Sequence, residues 1–188
     1  MSSLRITSGT LRGRRIPVPA GDVRPTSERA RQAYFNIIGD RIQNARFLDL
    51  FAGSGIFSFE AISRGATSAT AVDRDMQHST GIARQAATLG VPVSSVTGDV
   101  ITVLKRLKEP FDLTYADPPY DYEHYPELVR AIGELPLAPD AIVAVEHRRG
   151  SAPIEGKLGR LQVTRRAEYG EVWITFFALR ETATGIAE

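Results

Sequence analysis

The apolar positions change period along the chain. In "TSERARQAYFNIIGD", Ala30, Ala33, Tyr34, Ile37 and Ile38 recur at i, i+3, i+4, i+7 and i+8, the stripe of an amphipathic helix. Thr26 or Ser27 can cap it, Glu28 suits its positive end and Gly39 stops it, which leaves Arg29 and Arg31 for the outer face. Before it, "RITSGTLRGRRIPVP" (Arg5–Pro19) interleaves β-branched residues with glycine and arginine and predicts a small hairpin; "AGDVRP" predicts a turn. From residue 46 the pattern alternates. "RFLDLFA", "SATAVDRD", "VPVSSVTGD", "FDLTYADPP" and "DAIVAVEHRR" predict strands, and "SGIFSFEAISRGA", "DMQHSTGIARQAATLG", "VITVLKRLKE" and "YPELVRAIGEL" the helices between them. Short joints between alternating elements specify a parallel sheet with helices on both faces. "RLQVTRRAEYGEVWITFFALR" breaks the rhythm, because two strands meet there at a Tyr-Gly turn with no helix between. The sheet should therefore finish as an antiparallel hairpin. The expectation is an α/β fold with a mostly parallel seven-stranded sheet. Residues 1–40 form a basic extension of hairpin plus helix, and 41–188 the main domain. Trp173 in "VWITFF" is assigned to the core, and "ETATGIAE" to a frayed tail.

Composition changes this picture little, whereas charge changes it more. The 188 residues are 43% hydrophobic and 24% charged, enough for one substantial core. No apolar run approaches the ~18 residues of a membrane span. The start lacks a signal-like apolar stretch, and there is no cysteine, so a cytoplasmic protein is expected. Net charge is +1, yet residues 1–47 hold nine arginines and no lysine against Asp22, Glu28 and Asp40, nine minus three giving +6. A basic end on an acidic body points to an anionic partner, and arginine forks suit phosphate. An arginine-rich codon bias explains the lack of lysine but not the clustering. His78, His124 and His147 have no metal-ligand spacing, and no metal is expected.

The candidate chemistry lies at strand ends. "FLDLFAGSGIF" ends the first core strand in a glycine turn, where doubly wound sheets bind ligands. Gly53 and Gly55 permit a tight turn, and the following helix offers free N–H groups. Ser58 stands where a dinucleotide fingerprint wants its third glycine, and Asp49 would repel a pyrophosphate. An acidic strand end suits S-adenosylmethionine, whose amino group and sulfonium are positive. Asp73 ends the next strand, placed for ribose hydroxyls. Asp99 ends the third, placed for an adenine amine, though it can equally cap the helix after it. The cofactor set is Asp49, Phe51, Ala52, Gly53, Ser54, Gly55, Asp73, Arg74, Asp99 and Val100.

The fourth strand ends in "DPPY". Asp117 and the carbonyl of Pro118 can accept the two N–H bonds of a planar amino group, Pro118 and Pro119 have no N–H to compete, and Tyr120 offers a stacking face. These four are the candidate catalytic residues. Tyr122 and Tyr125 either roof the base pocket or lie on a solvent-facing helix side. Arg148 and Arg149, with Lys157, Arg160, Arg165 and Arg166, are a candidate phosphate track.

"DLFAGSG" followed by "DPPY" resembles the class I methyltransferases that methylate exocyclic or amide nitrogens. With "RITSGTLRGRRIPVP" and "RPTSERARQAYFNII" before them, the chain from about Arg5 to Arg180 resembles the bacterial 16S rRNA guanine-N2 methyltransferase D (RsmD) family. The resemblance implies a Rossmann-like fold. It also implies methyl transfer from S-adenosylmethionine to N2 of one guanine, G966, of 16S rRNA within the 30S subunit or a late assembly intermediate. A basic grip from Arg12, Arg14, Arg15, Arg24, Arg29 and Arg31 is expected on the RNA, with Arg24 and Thr26 near the cofactor or target nucleotide. A monomer is expected. Two other readings stay open: a DNA adenine-N6 or cytosine-N4 methyltransferase, for which no recognition domain is visible, and a non-catalytic ribosome-assembly factor of the same fold.

Overall fold

The computed structural model describes residues 2–19, 28–119, 121–150 and 156–180. Arg24, Thr26, Ser27, Tyr120 and the tail "ETATGIAE" lie outside the described residues. The predicted ribbon is β1 (Ser3–Arg5) paired antiparallel with β2 (Arg15–Pro17). Helix α1 (Glu28–Ile38) ends at Gly39, whose φ of 56° opens a short 3-10 turn. The alternating stretch follows: β3 (Arg46–Leu50), α2 (Ile56–Ser63), β4 (Ser68–Asp73), α3 (Met76–Leu89), β5 (Val93–Thr97), α4 (Val100–Leu104), β6 (Phe111–Ala116), α5 (Tyr125–Gly133) and β7 (Leu137–Arg148). β8 (Lys157–Leu158), β9 (Leu161–Tyr169) and β10 (Val172–Leu179) complete the sheet.

The main sheet has eight strands in the order β5-β4-β3-β6-β7-β10-β9-β8. β5, β4, β3, β6 and β7 run parallel, while β10 is antiparallel to both β7 and β9. This is the expected mostly parallel α/β sheet with an antiparallel end, with one strand more than expected. The extra strand, β8, is two residues that fold back on Leu161 and Gln162, too short to leave a period-two pattern. Helix α4 is shorter than "VITVLKRLKE". Beyond Leu104 only Leu107 finds apolar cover, and Pro110 disfavours helical backbone at the residue before it. Among the described residues no helix is long and apolar enough to cross a membrane.

The parallel strands are buried on both faces, so neighbouring residues feed different cores. Phe47, Leu113, Tyr115 and Ala144 pack with the ribbon, α1, α2 and α3, whereas Leu48, Leu50, Val143 and Val145 pack with α4 and α5. Ile6 and Ile16 of the ribbon and Tyr34, Phe35 and Ile38 of α1 belong to the first core.

The buried stripe of α1 is turned relative to the sequence reading. It comprises Ala30, Arg31, Tyr34, Phe35 and Ile38. Arg31 is therefore not on an outer face and cannot touch RNA: its side chain is fully buried, donates to the Arg5 carbonyl (2.8 Å) and pairs with Glu60 (3.5 Å). The ribbon covers this side of α1 and α2, and the buried Glu60 of α2 gives the guanidinium a partner that hydropathy alone does not reveal. The loop of the ribbon rests on the C-terminal end of α2. Thr10 N–H donates to the Ser63 carbonyl (2.8 Å), and a Cβ at Gly9 would fall 1.7 Å from that oxygen, so only glycine fits.

Candidate active site

Every predicted carboxylate in the core motifs lies at the carboxyl edge of the sheet. Asp49 is 3% exposed and faces the first core. Helix α2 starts at Gly55 with no side-chain cap of its own. Asp49 caps it from the strand, accepting from Ser58 N–H (3.0 Å) and Ser58 Oγ–H (2.7 Å). The connecting turn is tightly wound: Phe51, Gly53 and Gly55 have φ of 61°, 54° and 74°. A Cβ on Gly55 would also meet Ile82 of α3 at 2.8 Å, so this position needs glycine on two counts. Asp73 closes the loop from β4. It accepts from Gly53 N–H (2.7 Å) and Asp75 N–H (2.8 Å), and the Nδ1 of His78 lies 3.1 Å away. Arg74 beside it is exposed, while Ser54 and Val100 are buried. Asp99 takes its capping role, accepting from Thr102 N–H and Thr102 Oγ–H (both 2.9 Å) at the start of α4.

The Asp-Pro-Pro turn is bonded directly to this loop. The amide of Asp117 donates to the carbonyl of Leu50, the last residue of β3 (3.2 Å). Pro118 is buried, Pro119 is exposed, and the Pro119 carbonyl accepts from Tyr122 N–H (2.9 Å), which closes the turn. Tyr122 is half-buried, with its ring 5.5 Å from that of Phe51 in an edge contact. It therefore bridges the two motifs rather than facing solvent. Tyr125 is buried at the start of α5. Beneath the turn, Tyr115 stacks on Phe57 (3.9 Å between centroids), and its hydroxyl donates a short hydrogen bond to the buried Glu146 of β7. Asp117 follows Tyr115 by two residues, one past the end of β6.

The arginines split. Arg12, Arg14, Arg15 and Arg29 are exposed, with Arg15 donating to Ser3 Oγ (3.0 Å). The ribbon loop lies at the C-terminal end of α2 and the glycine loop at its N-terminal end. These ends are about 12 Å apart for eight residues at ~1.5 Å each.

Comparison with known proteins decides what this edge belongs to. Residues 4–178 match the family model described as "Conserved hypothetical protein 95". The chain is 34% identical over 146 residues to "Ribosomal RNA small subunit methyltransferase D" of Escherichia coli strain K12, covering 76% of this chain and 74% of that one. It is 30% identical to "Putative rRNA methyltransferase YlbH" of Bacillus subtilis, covering 94% and 100%. The solved "Putative methyltransferase yhhF" of Escherichia coli superposes with a TM-score of 0.85 at 29% identity, covering 95% of this chain and 99% of that one. The chain belongs to the RsmD-like methyltransferases. The cofactor expected from its glycine loop is S-adenosylmethionine.

The residues of this RsmD-like edge fit that cofactor. Burial raises the pKa of Asp49 to about 7, against the lowering effect of its two bonds from Ser58; Asp117 and Asp73 nearby raise it further. A carboxylate so placed gains from a cation and excludes a diphosphate. Two residues that sequence reasoning passed over border the same loop. His78 reaches Asp73 from the first turn of α3, where a spacing of five residues from a strand end was the available signal. Met76, 70% exposed at the head of α3 and three residues after Asp73, is a large apolar side chain left in solvent.

Asp49 makes a pH-dependent prediction. Its native pKa of about 7 lies above the ordinary 3.8, so the folded state binds the proton more tightly than the unfolded chain. Its contribution to stability is then full below about pH 4 and is lost as pH rises through about 7. Asp49→Asn cannot ionise but keeps an acceptor for Ser58. Without cofactor, the variant should gain on the native protein by about 1.4 kcal/mol per pH unit across that window. It should also bind S-adenosylmethionine more weakly at pH 8. Denaturant melts from pH 4.5 to 8 test this; parallel stability curves would refute it.

Proposed function

We propose that this protein transfers a methyl group from S-adenosylmethionine to the exocyclic N2 of one guanine, G966, in the 16S rRNA of the small ribosomal subunit. It would act as a cytoplasmic monomer on the 30S particle or a late assembly intermediate. One observation carries the reading: the Asp117 amide is bonded to the end of the strand that bears the glycine loop, so the amino-group acceptors and the cofactor pocket form one cleft. The names of the relatives, which specify ribosomal RNA, support the substrate class.

Asp49, the Phe51–Gly55 loop, Asp73, Arg74, Asp99 and Val100 hold the cofactor, joined by Arg24 and Thr26; Met76 offers an apolar cover for its adenine. When bound, S-adenosylmethionine supplies an electrophilic methyl on a sulfonium. The guanine amino group is a poor nucleophile, because its lone pair is delocalised into the ring. Asp117 and the Pro118 carbonyl each accept one of its N–H bonds and turn the lone pair toward the methyl. The prolines keep the turn stiff, and Tyr115, fixed by Glu146, floors it. Holding the two reactants in this way accounts for ~7–11 kcal/mol of barrier lowering. As positive charge develops on the nitrogen, the Asp117 carboxylate stabilises it more than in the ground state. Tyr120 and Tyr122 supply stacking faces for a base extruded from an RNA loop. Arg12, Arg14, Arg15, Arg24 and Arg29 hold phosphates, so RNA affinity should fall steeply with salt.

The test offers labelled S-adenosylmethionine with undermodified 30S subunits, naked rRNA and duplex DNA, followed by digestion to nucleosides. Label is expected in the 30S subunit as N2-methylguanosine. Label confined to DNA, or absent everywhere despite particle binding, would favour one of the two other readings and reject this one.

A further inference from the structure

A run of rings crosses the carboxyl edge on the α5 side of the sheet. Tyr122 contacts Tyr125 edge-on (5.3 Å between centroids), Tyr125 contacts His147 (6.0 Å), and His147 contacts Trp173 (6.0 Å). The two inner rings are buried, and the two outer ones, Tyr122 and Trp173, are half-buried. His147 is pinned from both sides, its Nε2 2.8 Å from Thr175 Oγ and its Nδ1 3.2 Å from the Arg148 carbonyl. Burial and the nearby Arg166 hold its pKa down, against the raising effect of the Arg148 carbonyl. The ring is thus neutral, donating through Nδ1 and accepting the Thr175 hydroxyl. At the far end, the Arg166 guanidinium lies over the Trp173 ring, 5.1 Å from its centroid.

Register places this far end at the level of the catalytic turn. Ala116, Val145, Thr175 and Arg166 form one row across β6, β7, β10 and β9. Trp173 lies two residues nearer the edge than Thr175, beside His147. It is two strands from β6, about 10 Å at ~4.8 Å per strand. Arg148 and Arg149 continue from His147 into solvent, with Glu171 4.0 Å from Arg148 and Glu168 opposite Trp173.

We propose that Trp173 and Arg166, backed by Arg148 and Arg149, form a stacking platform for an unpaired RNA nucleotide next to the target base. The inference rests on the RNA-methyltransferase reading and adds a second contact to it. A guanidinium held over an indole presents a cationic surface to a base. Bases splayed from RNA loops are held in this way, on aromatic rings or arginine planes. The buried Tyr125 and His147 keep the platform in place before RNA arrives, so little ordering is left for binding to impose. A duplex keeps its base faces stacked and gains only the phosphate contacts, so the surface favours unpaired strand.

Trp173 is the single tryptophan of the chain, so its emission reports this place alone. A guanine-containing single-stranded oligoribonucleotide should quench it, and a ribose-phosphate chain without bases should not. On undermodified 30S subunits, Arg166→Glu should raise KM about tenfold, as should Trp173→Ala, with kcat and cofactor affinity native. Trp173→Phe, which keeps a ring and guards against misfolding, should recover most of that loss. An Arg166→Glu protein that labels 30S with native KM overturns the inference and leaves the reading intact, as does equal quenching by the baseless chain. A native protein that labels no RNA removes the reading, and the inference with it.

Discussion

Asp117→Ala should lower kcat for methyl transfer about 10³-fold while S-adenosylmethionine affinity stays within a few-fold of native. The carboxylate is the charged acceptor of the Asp-Pro-Pro segment, and neither proline can replace it. Its loss leaves the Pro118 carbonyl to hold the amino group alone, so the nitrogen is neither oriented nor stabilised as charge develops on it. Cofactor binding should survive, because the amide of Asp117, not its side chain, ties the turn to Leu50. It should even tighten slightly near neutral pH, since Asp117 is one of the charges that raise the pKa of Asp49. Asp117→Asn separates geometry from charge. It retains an acceptor at the same reach and should recover roughly tenfold over alanine, because a neutral acceptor holds the nitrogen but answers its charge less. Single-turnover rates with saturating cofactor, beside cofactor titrations, give both quantities. An alanine variant within tenfold of native would take Asp117 out of the chemistry.

Much of this cleft could be read before the fold was known, because it is made of local rules. A glycine turn after a buried strand, and a carboxylate followed by two prolines, each declare their conformation within five residues. The alternation of elements then places all such turns on one edge. What stayed hidden depends on contacts between distant parts. Arg31 occupies a helix position that periodicity assigns to solvent, and only the distant Glu60 makes it a core residue. Trp173 reads as core by composition, yet β10 lies two strands from β6, and its ring meets Arg166 from the neighbouring strand. Glu146 stands out in no local pattern, and it is the buried partner of Tyr115. In each case a polar group is resolved by a partner more than twenty residues away or on another strand, which no window of sequence reports.

Glu60→Ala should destabilise the protein by about 3–5 kcal/mol, the loss expected when one partner of a buried charge pair is removed. Glu60 is fully buried in α2 and collects the ribbon onto the domain. Its carboxylate accepts from Thr7 N–H (2.9 Å), Thr7 Oγ–H (2.6 Å), Ser8 N–H (3.1 Å) and Arg64 Nε–H (2.9 Å), and faces Arg31. Alanine leaves the Arg31 guanidinium without its counter-charge, in a place where burial already lowers its pKa. It also strips the acceptor from two ribbon amides. At ~2–4 °C per kcal/mol for a chain of this size, Tm should fall by about 6–20 °C. The loss should begin locally. Amides of β1 and β2 should exchange faster than those of β3 and β6, because the ribbon hangs on this carboxylate while the sheet does not. Glu60→Gln combined with Arg31→Met keeps an acceptor for Thr7 and Ser8 and removes the stranded charge, and it should restore more than half of the lost stability. A Glu60→Ala protein melting within 2 °C of native, or exchanging its ribbon amides no faster, would mean that Ile6 and Ile16 hold the ribbon by apolar packing alone.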